Sequence, residues 1–183
     1  MKRLGIDLDD VLNCFNEGWI AAYNNLSGDA LTVEDITAWD IDRFVKPKWK
    51  GRIFPEIVLK PGFFAGLPER EGAADFLKWA CARFDTCIVS ASQCATVPEK
   101  AEWLRAHFPF FQLENFIPCW DKSLLRLDFL LDDGPHNALA CCENARVLLF
   151  DRPWNAGLPL WGKQINRVFH FADAKRILER VCC

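Results

Sequence analysis

Two acidic clusters carry most of the chemistry that this chain's residue types permit. Asp7, Asp9 and Asp10 end the segment Arg3-Leu4-Gly5-Ile6-Asp7-Leu8-Asp9-Asp10, and Asp132-Asp133 follow Phe129-Leu130-Leu131. Four or five carboxylates brought together repel unless a cation compensates them, and an oxygen-only set without His or Cys favours Mg²⁺ over zinc. The Asp-x-Asp alternation has its own use. It lets the first carboxylate approach phosphorus while the second lies on the leaving-group side. Asp7 is thus the candidate nucleophile, and Asp9 the candidate general acid, later the base that activates water. A nucleophile needs only to stay ionised, which an ordinary carboxyl pKa of about 3.9 ensures. An acid needs a raised pKa, which crowding by neighbouring carboxylates supplies.

A phosphoryl group in transfer also needs donors and positive charge on its equatorial oxygens. Ser90, at the end of Cys87-Ile88-Val89, offers a hydroxyl, and the backbone N–H of Ala91 follows it. Lys122, in Asp121-Lys122-Ser123, offers a compact ammonium. On their own spacing these two read as a strand-end hydroxyl and a surface lysine.

The elements that must position these groups alternate between strand and helix. Arg3 to Leu8 reads as a buried strand. The stripe Phe15, Trp19, Ala22 and Tyr23 predicts a helix ending near Gly28. From there to Gly72, prolines, a capping signal at Thr32 with Asp35, and a basic loop from Lys46 to Arg52 predict short helices and loops, the loop being a solvated face. Regular alternation then resumes. It comprises a helix over 73–83 burying Phe76, Leu77, Ala80, Cys81 and Phe84, a strand over 86–90, and a helix over 98–107. Strands follow near 115–118, 128–131 and 146–150, with a short helix after Pro135 that His136 caps or packs, and a final helix over 172–181. This order predicts an α/β fold with a parallel sheet covered on both faces, polar groups gathering at the strand ends.

Composition narrows the function classes. The chain has 183 residues, 51% of them hydrophobic, enough for one good core. A net charge of −3 and a pI near 5.6 give no basic field for a nucleic acid polymer or an anionic membrane. No apolar run approaches the roughly 20 residues needed to span a bilayer. The expectation is a soluble, cytoplasmic protein without a signal segment. Its nine cysteines follow no metal spacing, the pairs Cys141-Cys142 and Cys182-Cys183 included, and most read as small core residues.

Taken in order, Asp7-Leu8-Asp9-Asp10-Val11-Leu12, Ser90, Lys122 and Leu130-Leu131-Asp132-Asp133 resemble the four motifs of the haloacid dehalogenase (HAD) superfamily. Within it, Glu99-Lys100-Ala101-Glu102-Trp103-Leu104, Asp121-Lys122-Ser123, Asp132-Asp133-Gly134-Pro135-His136-Asn137 and Phe150-Asp151-Arg152-Pro153-Trp154-Asn155 resemble the 5'(3')-deoxyribonucleotidases. The likeness spans residues 1 to about 155 and is weak through 24–60. It implies an HAD-like three-layer α/β/α core formed by residues 1–13 and 73–183. A small helical cap over 14–72 would be inserted after the first strand and govern specificity. It also implies that Asp7, the backbone carbonyl of Asp9 and the carboxylate of Asp133 bind Mg²⁺, with Asp132 behind them. The substrate implied is a deoxyribonucleoside monophosphate. Among the cap aromatics, most of which read as core, Phe15 and Trp39 are the candidates for stacking on a base. A phosphatase for sugar phosphates or other metabolites, and a non-catalytic module of the same fold, remain the alternatives; a homodimer is left open.

Overall fold

The computed structural model describes residues 1–182; Cys183, one of the cysteines weighed above, lies outside the described residues. Its centre is a wholly parallel six-stranded sheet. The strands are β1 (Arg3–Ile6), β2 (Asp85–Ser90), β3 (Phe116–Pro118), β4 (Phe129–Asp132), β5 (Arg146–Phe150) and β6 (Ile165–Val168). Their order across the sheet is β3-β2-β1-β4-β5-β6. The helices are α1 (Phe15–Ser27), α2 (Ala73–Cys81), α3 (Val97–His107), α4 (Pro135–Cys141) and α5 (Phe171–Cys182).

The central strands are apolar on both faces because helices cover both. Alternate residues serve different layers. Leu4, Ile6, Ile88, Phe129, Leu131, Leu148 and Phe150 join one core with Phe76 and Leu77 of α2, Leu104 of α3 and Leu178 of α5. Their neighbours Cys87, Val89, Leu130, Val147 and Leu149 join a second core with Ala138 and Cys141 of α4. Gly5 suits its central place, since a Cβ there would stand 2.7 Å from a methyl of Leu127.

The chain steps outward from β1 to β2 to β3, then returns to the other side of β1 to lay down β4. Such a switch point opens a crevice at the carboxyl ends of the strands that flank it. The pairing Ile6↔Leu131 puts Asp7 beside Asp132, and the Asp7 backbone N–H donates to the Leu131 carbonyl at 2.8 Å.

Residues 14–72 leave the sheet and return to it through adjacent chain segments. The Cys14 N–H donates to the Pro68 carbonyl at 3.0 Å, and the Arg70 N–H to the Leu12 carbonyl at 2.9 Å. Between them α1 buries Trp19, Ile20 and Tyr23 and stops at Gly28, whose φ of 62° suits a residue without a Cβ. The expected capping signal is present, with Asp35 Oδ2 accepting from the Thr32 N–H at 2.8 Å. The segment is tied to α3, since Glu99 Oε1 accepts from the Gly62 N–H at 2.9 Å and the Trp103 indole donates to the Leu67 carbonyl at 2.8 Å.

Several expectations need correction. The first strand stops at Ile6 because Leu8 to Asn13 curl into a turn, the Leu12 and Asn13 N–H groups both donating to the Leu8 carbonyl. Strand β6 carries no continuous apolar run, only Ile165 and Val168 being buried, and was not anticipated. Cys81 lies on the exposed side of α2, and among the described cysteines only Cys87, Cys141 and Cys142 are buried. Among the described residues no helix is long and apolar enough to cross a membrane.

Candidate active site

Asp7 sits one residue beyond β1, where the turn from Leu8 to Asn13 begins. Its Oδ1 accepts from the Leu8 N–H at 2.8 Å and pairs with Lys122 Nζ at 2.8 Å. Lys122 lies in a short turn after β3, whose start is capped by Asp121. Far from being a surface lysine, it is 2% exposed and also holds Asp132 Oδ2 at 2.6 Å.

Asp132 ends β4 and is spoken for on both oxygens. Its Oδ1 accepts from the Gly134 N–H at 2.7 Å and from Asn137 Nδ2 at 3.1 Å, while Lys122 holds the other. Asp133 differs. Its Oδ2 accepts from the Trp154 indole at 2.8 Å, and among the described residues nothing donates to its Oδ1.

One oxygen from each of Asp7, Asp132 and Asp133 lies within 4.8 Å of the others, all three residues being buried. Three carboxylates face one ammonium here, leaving negative charge that burial makes costly. Burial pushes Asp7 up to about 7, with Asp132 and Asp9 adding to the rise and Lys122 opposing it. Asp133 is raised well above the usual carboxylate range by burial and then by Asp10 and Asp7. Burial alone would lower Lys122, yet Asp132 and Asp7 hold it above its ordinary value. A compact, oxygen-only, over-negative cluster with free oxygens on Asp133 and Asp7 fits a hard divalent cation.

Asp9 points elsewhere. Lys100, buried on α3, donates to its Oδ2, and Asn13 Nδ2 donates to its Oδ1 at 3.0 Å. The crowding invoked for Asp9 is therefore met by a cationic partner. Lys100 also donates to Ser90 Oγ at 2.9 Å, and Ser90 Oγ stands 3.5 Å from Asp9 Oδ2. Ser90 ends β2, and Ala91 after it lines the cavity above the carboxylates.

Asp10 adopts a left-handed φ of 58°, uncommon for a side chain but tolerated by Asp. The conformation is held from several sides. The Asn16 N–H and Nδ2 donate to its carboxylate at 2.9 and 2.7 Å, and Arg152 donates to its carbonyl. Burial pushes its pKa up to about 8.

The cavity wall is aromatic. Phe15, the first residue of α1, stacks on Phe64 and meets Phe63 edge-on. Trp39 is 52% exposed at the rim and packs edge-on against His136, ring centroids 4.5 Å apart. The structure thus brings together Asp7, Lys122, Asp132 and Asp133, joins Ser90 to Asp9 through Lys100, and sets Phe15 and Trp39 around the opening.

Sequence reasoning gave no role to Lys100, Arg152, Trp154 or Asn155. Lys100 had a signal: it shares a helical face with Trp103 and Leu104, at i, i+3 and i+4, and a lysine in such a stripe calls for a buried partner. The other three had only their place in segment 150–155 of the resemblance, their contacts being made by long-range folding.

The chain is similar to known proteins along most of its length. The family model described as 5' nucleotidase, deoxy (pyrimidine), cytosolic type C protein matches residues 1–181. A 5'(3')-deoxyribonucleotidase from Clostridium acetobutylicum is 38% identical over 154 residues, 83% of each chain. One from Bacillus subtilis is 29% identical over 156 residues, covering 84% of this chain and 87% of its own. Among solved structures, a haloacid dehalogenase-like hydrolase from Streptococcus pneumoniae superposes with a TM-score of 0.69 at 13% identity, covering 97% of this chain and 98% of its own. A HAD family hydrolase from Deinococcus radiodurans with bound phosphate and sodium gives 0.64 at 17%, covering 98% and 96%.

Proposed function

The chain belongs to the 5' nucleotidase, deoxy (pyrimidine), cytosolic type C family, phosphoric monoester hydrolases of nucleotides on an HAD-like fold, and we propose that it is a Mg²⁺-dependent 5'(3')-deoxyribonucleotidase. The observation that carries this reading is the convergence of Asp7 and Asp133, with Lys122 paired to Asp7 beneath them, at the floor of a cavity walled by Phe15, Phe64 and Trp39. A charged end and an aromatic end suit a substrate with a phosphate and a base.

In this reading Asp7 and Asp133 hold the cation through their carboxylates and Asp9 through its backbone carbonyl. Asp132 stays behind them, orienting Lys122. The cation supplies the positive charge that keeps Asp7 ionised and neutralises the phosphoryl oxygens. Asp7 attacks phosphorus, the P–O bond to the nucleoside breaks, and Asp9 gives the departing oxygen its proton. Asp9 then removes a proton from water, which attacks phosphorus, releases phosphate and restores Asp7. Ser90, the Ala91 N–H and Lys122 hold the equatorial oxygens. Residues 14–72 act as a cap that selects the substrate, with Phe15 and Trp39 stacking on the base, in a protein of the cytoplasm.

The test is to trap the covalent step. Wild-type protein mixed with phosphate-labelled dUMP and Mg²⁺, then quenched in acid, is expected to carry label that hydroxylamine removes. Asp7→Asn is expected to carry none. Turnover by the wild type with no hydroxylamine-sensitive label under single-turnover conditions contradicts the aspartyl-phosphate route.

A further inference from the structure

The turn after β5 bolts the two acid-bearing turns together. Arg152 Nη2 and Nε donate to the Asp10 carbonyl at 2.6 and 3.2 Å. Asn155, 1% exposed, donates Nδ2 to the carbonyls of Asp133 and Phe150, each at 2.8 Å. Its own Oδ1 accepts from Arg167 of β6 at 2.6 Å, so the unanticipated edge strand braces the turn. With the Asp133 main chain pinned by Asn155, the carboxylate's remaining freedom is rotation about its own bonds. The buried Trp154 indole arrests that rotation by donating to Oδ2 at 2.8 Å.

We infer that Trp154 is a positioning residue that makes Asp133 a one-oxygen ligand and thereby biases the site toward Mg²⁺ over Ca²⁺. The inference rests on the cation site proposed above. Mg²⁺ demands near-octahedral geometry at about 2.0–2.1 Å, whereas Ca²⁺ takes more oxygens at about 2.3–2.6 Å and readily uses both oxygens of one carboxylate. With Oδ2 committed to a buried N–H, two-oxygen coordination would sacrifice a hydrogen bond in a low-dielectric interior. Only Oδ1 is left to meet the ion. Phe at this position would keep an aromatic ring and lose the donor.

The experiment compares wild-type protein with Trp154→Phe and with β-(3-benzothienyl)alanine at position 154, which keeps the shape of indole but has no N–H. Mg²⁺ and Ca²⁺ affinities are measured separately by calorimetry on the full chain. Loss of the N–H is expected to weaken Mg²⁺ about tenfold, in line with the removal of outer hydrogen bonds to metal ligands. Ca²⁺ affinity is expected to hold or rise, so the preference shifts in both variants. The benzothienyl protein carries the test if the Phe variant folds poorly. Equal weakening of both ions, or an unchanged preference in a wild-type-like fold, overturns the role of Trp154 while leaving the cation site standing. A wild-type chain that binds neither ion overturns the site and this inference with it.

Discussion

In the metal-free chain Asp7 carries its charge at a cost, because burial outweighs the attraction of Lys122 and pushes its pKa from 3.8 up to about 7. A carboxyl raised on folding contributes stability that is fully present below the unfolded value and is lost as pH rises through the folded one. Asp7→Asn removes this titration. Without metal, the variant should therefore gain stability relative to wild type between about pH 4 and pH 7, by up to a few kcal/mol. Its turnover should fall by about 10⁴-fold or more. Paired thermal melts across that range check the first point, and a constant gap contradicts it. Lys122→Met should cost about 3 to 5 kcal/mol in urea unfolding, since it strands Asp7 and Asp132 without their shared ammonium; wild-type stability would contradict the buried pairing. At this scale the sequence displayed what residue type alone can display. Asp7, Ser90, Lys122 and Asp133 were legible as candidates because their chemistry is intrinsic and their order resembles a known motif set. The Arg152 contact to Asp10 spans 142 residues and leaves no local trace, whereas Lys100, whose contact to Asp9 spans 91, shows locally only as a lysine in an apolar helical stripe.

Among the elements, legibility followed periodicity. Helices α1, α2, α3 and α5 bury stripes that repeat with the helical turn, and β5 is a continuous apolar run with both faces covered. Residues 28–72 hold no helix of comparable length. Their short turns are fixed by caps such as Asp40, whose side chain accepts from the Asp42 N–H, and by long-range bonds such as that from the Gly62 N–H to Glu99. No stripe forms in three residues, so this wall of the cavity was the least legible part of the candidate site. Trp39 belongs to that wall, exposed at the rim and backed by His136. Trp39→Ala should raise KM for a deoxyribonucleoside monophosphate about tenfold while kcat changes about twofold or less. KM for a phosphate ester without a base should not move. A parallel rise for both substrates would show that Trp39 shapes the cap rather than binding the base.

For the whole molecule, the parallel sheet is what makes a site from residues 125 positions apart. Its switch point lays β1 beside β4, so that Asp7 and Asp132 emerge from paired strands. The net charge of −3 supplies no general attraction for a phosphate, so any anionic ligand must be met by local groups. The parallel α/β plan was readable from alternating strands and helices, whereas the brace from β6 was not, because an edge strand with polar residues resembles a loop. The most direct measurement is phosphate release from deoxyribonucleoside and ribonucleoside monophosphates, with the phosphate at the 5' or the 3' position, and from sugar phosphates. Each is assayed with and without Mg²⁺ against an Asp7→Asn blank. Magnesium-dependent release that favours the deoxyribonucleotides is the result expected. Release confined to sugar phosphates, or equal release by the Asp7→Asn protein, would contradict the account.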